Sequence, residues 1–148
     1  MKKDEMTLVA PCGINCGDCG VHLVKDKAKL IDSLVARGFG KESLNENSLP
    51  CGGCRAVKGN CAVIGGTCET YTCIAGRGFD FCFECPDFPC VKLNPAADRA
   101  NVLPHNMKVF NLCFIQRQGL AKFVEKWPDI KQRYYGGKME VGKGPQLK

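Results

Sequence analysis

The chain has 148 residues, among them 12 cysteines, 17 glycines and 8 prolines, and its formal net charge is +6. This length excludes a barrel of about 250 residues, and no apolar run approaches the roughly 18 residues that a membrane span needs. The N-terminal residues carry charges without an apolar stretch of signal-peptide length, so the sequence predicts a cytoplasmic protein outside the membrane.

Charge and cysteine content divide the chain unevenly. Residues 1–90 contain 10 Lys and Arg against 11 Asp and Glu, net −1, whereas residues 91–148 contain 11 against 4, net +7. This asymmetry suggests that the two parts of the chain have different functions. We predict a cysteine-rich metal-binding region over residues 1–93, a basic helical segment of the same domain over residues 94–135 and a flexible tail over residues 136–148.

The first regular element that the sequence predicts is an amphipathic helix over residues 21–37, because apolar residues recur there at helical spacing. Gly38 is a suitable residue to end this helix. Residues 51–90 show little periodicity, and only short strands near residues 62–64 and 79–83 are expected. A segment of this kind cannot easily form its own apolar core, so metal–thiolate bonds are the expected source of order.

The C-terminal part is expected to be helical. Asn94-Pro95 is a plausible start, and residues 107–117 continue in helical pattern until Gly119 interrupts them. The pattern resumes over residues 120–127, and Pro128 is predicted to begin another short turn. The predicted fold is therefore a small α+β protein, stapled by metal. Irregular zinc-knuckle-like loops with short strands would pack on an N-terminal helix and a C-terminal helical segment.

Eleven of the twelve cysteines lie in the first 90 residues. In a cytoplasmic protein clustered cysteines usually indicate metal, although a disulfide framework is the alternative. The simplest grouping has three sets: Cys12, Cys16 and Cys19; Cys51, Cys54, Cys61 and Cys68; and Cys73, Cys82, Cys85 and Cys90. Interleaved ligands, such as Cys12 or Cys19 sharing a metal with Cys51, agree with the sequence equally well.

The residues around these cysteines suit metal binding. Each cysteine of the first set precedes a glycine, which allows positive φ and lets backbone N–H groups turn toward sulfur. A C-x2-C pair such as Cys51–Cys54 binds one tetrahedral ion. The rival interpretation of that pair as a thioredoxin-type redox motif lacks the preceding apolar strand and the following helix.

Few other residues suggest chemistry. A surface position at a helix start is favoured for His22 over a fourth-ligand role, and His105 is expected to be a cap or surface residue. Cys113 stands alone in an apolar helix and is expected in the core. Asp18 and Glu84 lie beside cysteines, yet no catalytic constellation and no binding motif for an organic cofactor accompany them.

Structural zinc in a small binding or interaction module is the function that these residues favour. One alternative is an iron–sulfur protein in anaerobic redox chemistry or sensing. Another is a metal enzyme that uses an open site at Cys12, Cys16 and Cys19. An acidic protein or nucleic acid would suit the basic segment, whose best patch is Lys131, Arg133, Tyr134 and Tyr135, although a solvated helix face explains those charges more simply.

The runs PCGINCGDCG, CGGC and FCFECPDFPC resemble a cysteine-rich prokaryotic family known as domain of unknown function 3795, found mainly in anaerobic bacteria and archaea. The family pattern is similar to nine positions here: Cys12, Cys16, Cys19, Cys51, Cys54, Cys73, Cys82, Cys85 and Cys90. The tail HNMKVFNLCFIQRQGLAKF also resembles the family, so the likeness covers most of residues 11–125. The resemblance implies metal binding and little else, and Cys61 and Cys68 have no clear place in it.

Overall fold

The computed structural model describes residues 3–95 and 104–147 and is dominated by helices. They are α1 (Lys3–Thr7), α2 (Gly20–Leu23), α3 (Lys27–Ala36), α4 (Glu69–Arg77), α5 (Lys108–Gln118) and α6 (Leu120–Gly136). Strands β1 (Lys138–Glu140) and β2 (Gly144–Gln146) pair antiparallel, with Met139 opposite Pro145. The described part of the chain is thus a small mixed fold in which this hairpin lies inside the predicted tail. No helix in the described residues is both long and apolar enough to cross a membrane.

The predicted helix over residues 21–37 is two helices. The Asp26 side chain accepts a hydrogen bond of 3.1 Å from the Lys29 N–H, and the extended backbone of Asp26 separates α2 from α3. Such a cap starts a helix, because it satisfies an N–H group that has no partner within the first turn. Gly38 ends α3 as predicted, with a φ of 85° that favours glycine.

The two short strands predicted in the cysteine region are wrong. Residues 62–64 form turns, and residues 82–84 form a single 3-10 turn. Near residues 79–83, a side chain accepts the hydrogen bonds that a neighbouring strand would accept. Glu84 Oε2 accepts from the N–H groups of Asp80 at 2.8 Å and Phe81 at 3.4 Å. Backbone donors that a side chain satisfies need no sheet.

The C-terminal helices follow the prediction until Pro128. Gly119, with φ of 83°, separates α5 from α6. The predicted turn at Pro128 is wrong, since α6 continues through it to Gly136. Trp127 and Ile130 are both buried, and their burial stabilises the helix on either side of the proline. The predicted start at Asn94-Pro95 leads into residues 96–103, outside the described residues, and α5 is preceded by a 3-10 turn over Pro104–Met107.

Two apolar clusters form the interior. The larger joins α5 and α6 to the cysteine region, with Phe123, Leu112 and Val9 fully buried. The smaller surrounds Leu30 and Leu34 of α3. Four cysteines belong to or pack against the larger cluster, namely Cys12, Cys82, Cys85 and Cys90, and two belong to or pack against the smaller, Cys19 and Cys51. Cysteines therefore border both cores.

Candidate metal centre

Three cysteine segments make up the candidate centre: the first over residues 11–20, the second over residues 51–68 and the third over residues 73–90. The first is a tight loop in which the Ala10 N–H donates to the Ile14 carbonyl oxygen at 2.8 Å. Gly13 has a φ of 86°, and a Cβ there would lie 3.0 Å from Leu112 Cγ. Only glycine fits this turn, which presses the first segment against α5.

The second segment meets the first through sulfur. The Cys54 N–H donates to Cys16 Sγ at 3.4 Å, across 38 residues of chain. The Gly53 N–H donates to Cys51 Sγ, also at 3.4 Å. Gly53 has a φ of 95°, which brings these consecutive N–H groups around to face two sulfur atoms.

Arg55 attaches the second segment to its surroundings. Its Nε donates to the Val9 carbonyl oxygen at 2.9 Å, and Nη2 donates to the Asp80 carbonyl oxygen at 2.9 Å. The same guanidinium lies over the Phe81 ring, 4.8 Å from its centroid. One side chain therefore connects the second segment to the third and to Val9, which lies just before the first segment.

The third segment docks on the first by its backbone. The Cys82 N–H donates to the Pro11 carbonyl oxygen at 2.9 Å. Arg77, at the end of α4, donates through Nη1 to Cys85 Sγ at 2.9 Å and to Asp87 Oδ2 at 2.6 Å. Arg77 thereby links the end of α4 to the loop that follows Cys85. Spacing had not indicated Arg77, because its only sequence signal was the short run Gly76-Arg77-Gly78.

Burial governs the acidity of the enclosed thiols. It raises the pKa of Cys16 to about 12, and the negative charges that Cys19 and Cys12 would carry add to the rise. Burial likewise raises the pKa of Cys82 to about 12, with further contributions from Cys12 and Cys90. In the absence of a cation these thiols are therefore protonated at neutral pH.

The same electrostatic couplings cross the predicted sets. Burial first, and then charge on Cys12 and Cys16, raises the pKa of Cys54. Burial raises the pKa of Cys61, and negative charge on Cys19 of the first segment and on Cys51 and Cys68 of the second raises it further. Thiols affect one another in this way only when they are close. Thiols of the first and second segments therefore lie near one another, as the interleaved arrangement that the sequence left open would require.

The thiols are gathered without forming a closed ligand set. All twelve cysteines are free, so no disulfide joins them. Among residues 3–95 and 104–147, no group of three or more His, Cys, Asp or Glu side chains is arranged to hold a metal ion. Backbone contacts thus bring the segments together, while the side chains of the described residues do not complete a metal site. Metal-dependent cross-linking of the fold remains a prediction.

His22 is not the surface residue that the sequence favoured, because its ring contacts the second cysteine segment. It is partly buried, and its Nδ1 lies 2.8 Å from the Cys51 carbonyl oxygen. Because a carbonyl oxygen can only accept, Nδ1 is the donor in this bond, which leaves Nε2 as the ring nitrogen available to a metal. Metal-binding histidines show this arrangement. The bond links α2 to the second segment.

The acids beside the cysteines have structural partners. Asp18 Oδ2 accepts from Trp127 Nε1 at 3.2 Å and pairs with Lys131 Nζ at 2.7 Å. Glu84 caps the 3-10 turn of the third segment through its own carboxylate. Both carboxylates therefore help to hold their segments in place.

Cysteine spacing did not predict the roles of two residues in and before α5. Asn111, fully buried in α5, donates from Nδ2 to the Gly13 carbonyl oxygen at 2.8 Å, 98 residues away. His105 is half-buried rather than a surface residue, and burial, followed by the charge of Lys108, lowers its pKa. Cys113 is half-buried rather than in the core.

Comparison with known proteins identifies a family and little else. Residues 8–95 match the family described as "Protein of unknown function (DUF3795)". The matched stretch contains all three cysteine segments and ends before α5. No curated protein matches the chain, and no solved structure matches it.

Proposed function

We propose that this chain, which belongs to the DUF3795 family of unknown function, binds metal ions through its cysteine thiolates. The favoured role of the metal is structural zinc in a small binding module. Zinc held by thiolates contributes its binding free energy to folding, because the unfolded chain has no preformed site. That role suits a region in which short helices are joined by long turns and loops.

The observation that supports this proposal best is the hydrogen bond from the Cys54 N–H to Cys16 Sγ at 3.4 Å. Backbone N–H groups directed at sulfur lower the energy of a thiolate and are a regular feature of metal–cysteine sites. The N–H group of the preceding residue, Gly53, makes a similar bond to Cys51 Sγ. Both donors belong to the C-x2-C run of the second segment.

Interleaved ligand sets follow from these contacts. Cys16 and Cys54 would share one ion, since their segments meet at sulfur, and the remaining ligands would come from neighbours in the first and second segments. The third segment would supply its own set: Cys73, Cys82, Cys85 and Cys90. Formation of each set would require the side chains to move, because no group of three or more ligands among the described residues is arranged to hold an ion. Binding of the ion would convert protonated thiols into coordinated thiolates.

His22 Nε2 is the candidate for a twelfth ligand atom. Three four-coordinate sites need about twelve ligands, and the three segments contain eleven cysteines. The bond from His22 Nδ1 to the Cys51 carbonyl oxygen holds the ring in the tautomer that a ligand needs. His22→Ala should then lower the metal content by one ion or weaken one site.

The structural role has more support than an enzymatic one. Asp18 and Glu84, the acids nearest the cysteines in sequence, are occupied by Trp127, Lys131 and the N–H groups of the third segment. A catalytic metal site needs an open position and a group that transfers protons. Iron–sulfur clusters would use the same thiolates, so direct measurement has to separate them from zinc.

Elemental analysis of anaerobically purified protein tests the proposal. We expect a colourless protein with about two to three zinc ions per chain, from eleven thiols at four ligands per site. Cys113→Ser is the matched control and should retain the full metal content, because Cys113 lies outside the three segments. Brown protein with iron and absorbance near about 400 nm would establish the iron–sulfur alternative. Protein without any bound metal would overturn the proposal.

A further inference from the structure

A groove of about 550 Å³ opens between α5 and α6, away from the cysteine segments. Its apolar wall consists of Phe110, Phe114, Cys113 and Ile130. Phe110 is 56% exposed, an unusual position for a large aromatic side chain. A contiguous apolar surface around such a residue is typical of an interaction site.

Aromatic packing makes this wall rigid. The ring centroids of Phe110 and Phe114 are 6.4 Å apart, and those of Phe114 and Phe123 are 6.1 Å apart. Phe123 then packs on Trp127 at 5.5 Å. The row runs from buried residues to the exposed ring of Phe110. A preorganised apolar wall binds a partner without first losing side-chain entropy.

The rim of the groove is basic. Four cations line it, Arg117, Lys122, Lys126 and Arg133, together with one anion, Asp129, so the lining carries a net charge of +3. Lys122 and Lys126 pair with Glu125 at 2.9 and 3.7 Å on an exposed surface. Arg117 forms no ion pair with any described residue. Exposed pairs are weak enough to exchange for a partner's carboxylates.

We propose that this groove binds an acidic amphipathic segment of a protein partner, with apolar side chains against Phe110 and Phe114 and carboxylates on the basic rim. Interfaces favour this combination of aromatic anchors and arginine. The inference goes beyond metal binding and does not depend on it, because the groove lies on α5 and α6. The patch predicted at Lys131, Arg133, Tyr134 and Tyr135 shares only Arg133 with this rim, and Lys131 is paired with Asp18 instead.

Charge and lining favour a peptide over nucleic acid. The four cations of this groove border an apolar wall of Phe110, Phe114, Cys113 and Ile130. An amphipathic segment fills such a wall with its apolar side chains, which a phosphate backbone lacks. Carboxylates spaced along one face of a helix match the rim of a groove more closely.

The test uses the full chain and a fluorescent helical peptide of about 15 residues with leucines on one face and glutamates beside them. Fluorescence anisotropy should give a Kd on the order of 10 μM, and a scrambled peptide of the same composition should bind at least about tenfold more weakly. Phe110→Ala and Lys126→Glu should each weaken binding about tenfold. Lys41→Glu, an equal charge reversal on the exposed 3-10 turn over Lys41–Ser43, should leave binding unchanged.

Circular dichroism of each variant verifies folding, and the exposure of Phe110 makes its truncation tolerable. No binding at about 1 mM peptide would overturn the proposal. Equal binding by the Phe110→Ala and unchanged proteins, or equal binding of the scrambled peptide, would also overturn it. An oligothymidine that binds more tightly than the peptide and is weakened by Lys126→Glu would assign the groove to nucleic acid instead.

Discussion

The cysteine region over residues 8–95 and the helical hairpin formed by α5 and α6 have opposite sources of order. In the hairpin, Leu112 and Phe123 have no exposed surface, and helical spacing places such residues on one buried face. In the cysteine region, loops are held by N–H groups that donate to sulfur and by charged side chains such as Arg55 and Glu84. Hydrophobic burial explains the hairpin. The cysteine region also contains the smaller apolar cluster around Leu30 and Leu34, and we propose that metal binding adds a further contribution there.

Cys16→Ser should produce the largest loss of stability and metal content, and this loss should be confined to the cysteine region. Structural zinc contributes on the order of 10 kcal/mol, and Cys16 Sγ is the atom at which the first and second segments meet. We expect the loss of at least one ion per chain and of more than about 5 kcal/mol of stability. Urea denaturation and elemental analysis measure both quantities. Cys113→Ser is the control, and an equal loss in that variant would contradict a special role for the segments.

Changes of pH should affect metal-loaded and metal-free protein in opposite directions. Protons compete with metal for thiolates, so the loaded protein should lose stability as pH falls, by about 1.4 kcal/mol per proton and pH unit. In metal-free protein, burial raises the pKa of Cys16 and of Cys82 to about 12. Their contribution is fully present below the unfolded thiol pKa and is lost as pH rises through about 9 to 12.

Thermal unfolding between about pH 5 and pH 11, with and without a chelator, measures both limbs. Parallel curves for the two forms would show that the thiols do not bind metal. A chelator-treated protein that becomes less stable only in acid would also contradict the assignment. The hairpin contributes little to either limb, because its buried residues are mainly apolar.

Phe123→Ala tests the other side of the comparison. Phe123 is fully buried and packs on both Phe114 and Trp127, so its truncation should cost about 3–5 kcal/mol. Metal content of the folded protein should not change, because Phe123 is no ligand. Phe110→Ala is the matched control, and its exposed ring predicts a loss below about 1 kcal/mol. Loss of metal without loss of helix stability would reverse the assignment of roles.

Asp18→Asn should have the smallest effect and should act on the junction between the regions. Asp18 joins the first segment to α6 through Trp127 Nε1 and Lys131 Nζ. Removal of its charge should cost about 1–2 kcal/mol and shift the fluorescence of Trp127, the single tryptophan of the chain. Glu140→Gln, which removes an exposed carboxylate paired with Lys143, is the control. Unchanged fluorescence in Asp18→Asn would show that the junction does not depend on this ion pair.

The sequence allowed correct predictions where local rules operate. Gly38 and Gly119 end helices because positive φ is required there, and α5 follows from its helical pattern. The contact of Cys54 with Cys16 and that of Asn111 with Gly13 span 38 and 98 residues. Long-range contacts of this kind leave no periodic trace in a sequence. The strand predicted near residues 79–83 failed for a related reason, because Glu84 supplies the hydrogen bonds to Asp80 and Phe81. Residues 62–64 form a turn and a bend instead of the other predicted strand.

Hydrogen exchange resolved by mass spectrometry, on protein before and after metal removal, tests the central claim most directly. The account predicts that metal removal abolishes protection across the three cysteine segments, while α5 and α6 keep most of theirs. Restored protection on addition of zinc would complete the result. Unchanged protection of residues 8–95 in metal-free protein would contradict the account, since apolar packing alone would then hold the cysteine region.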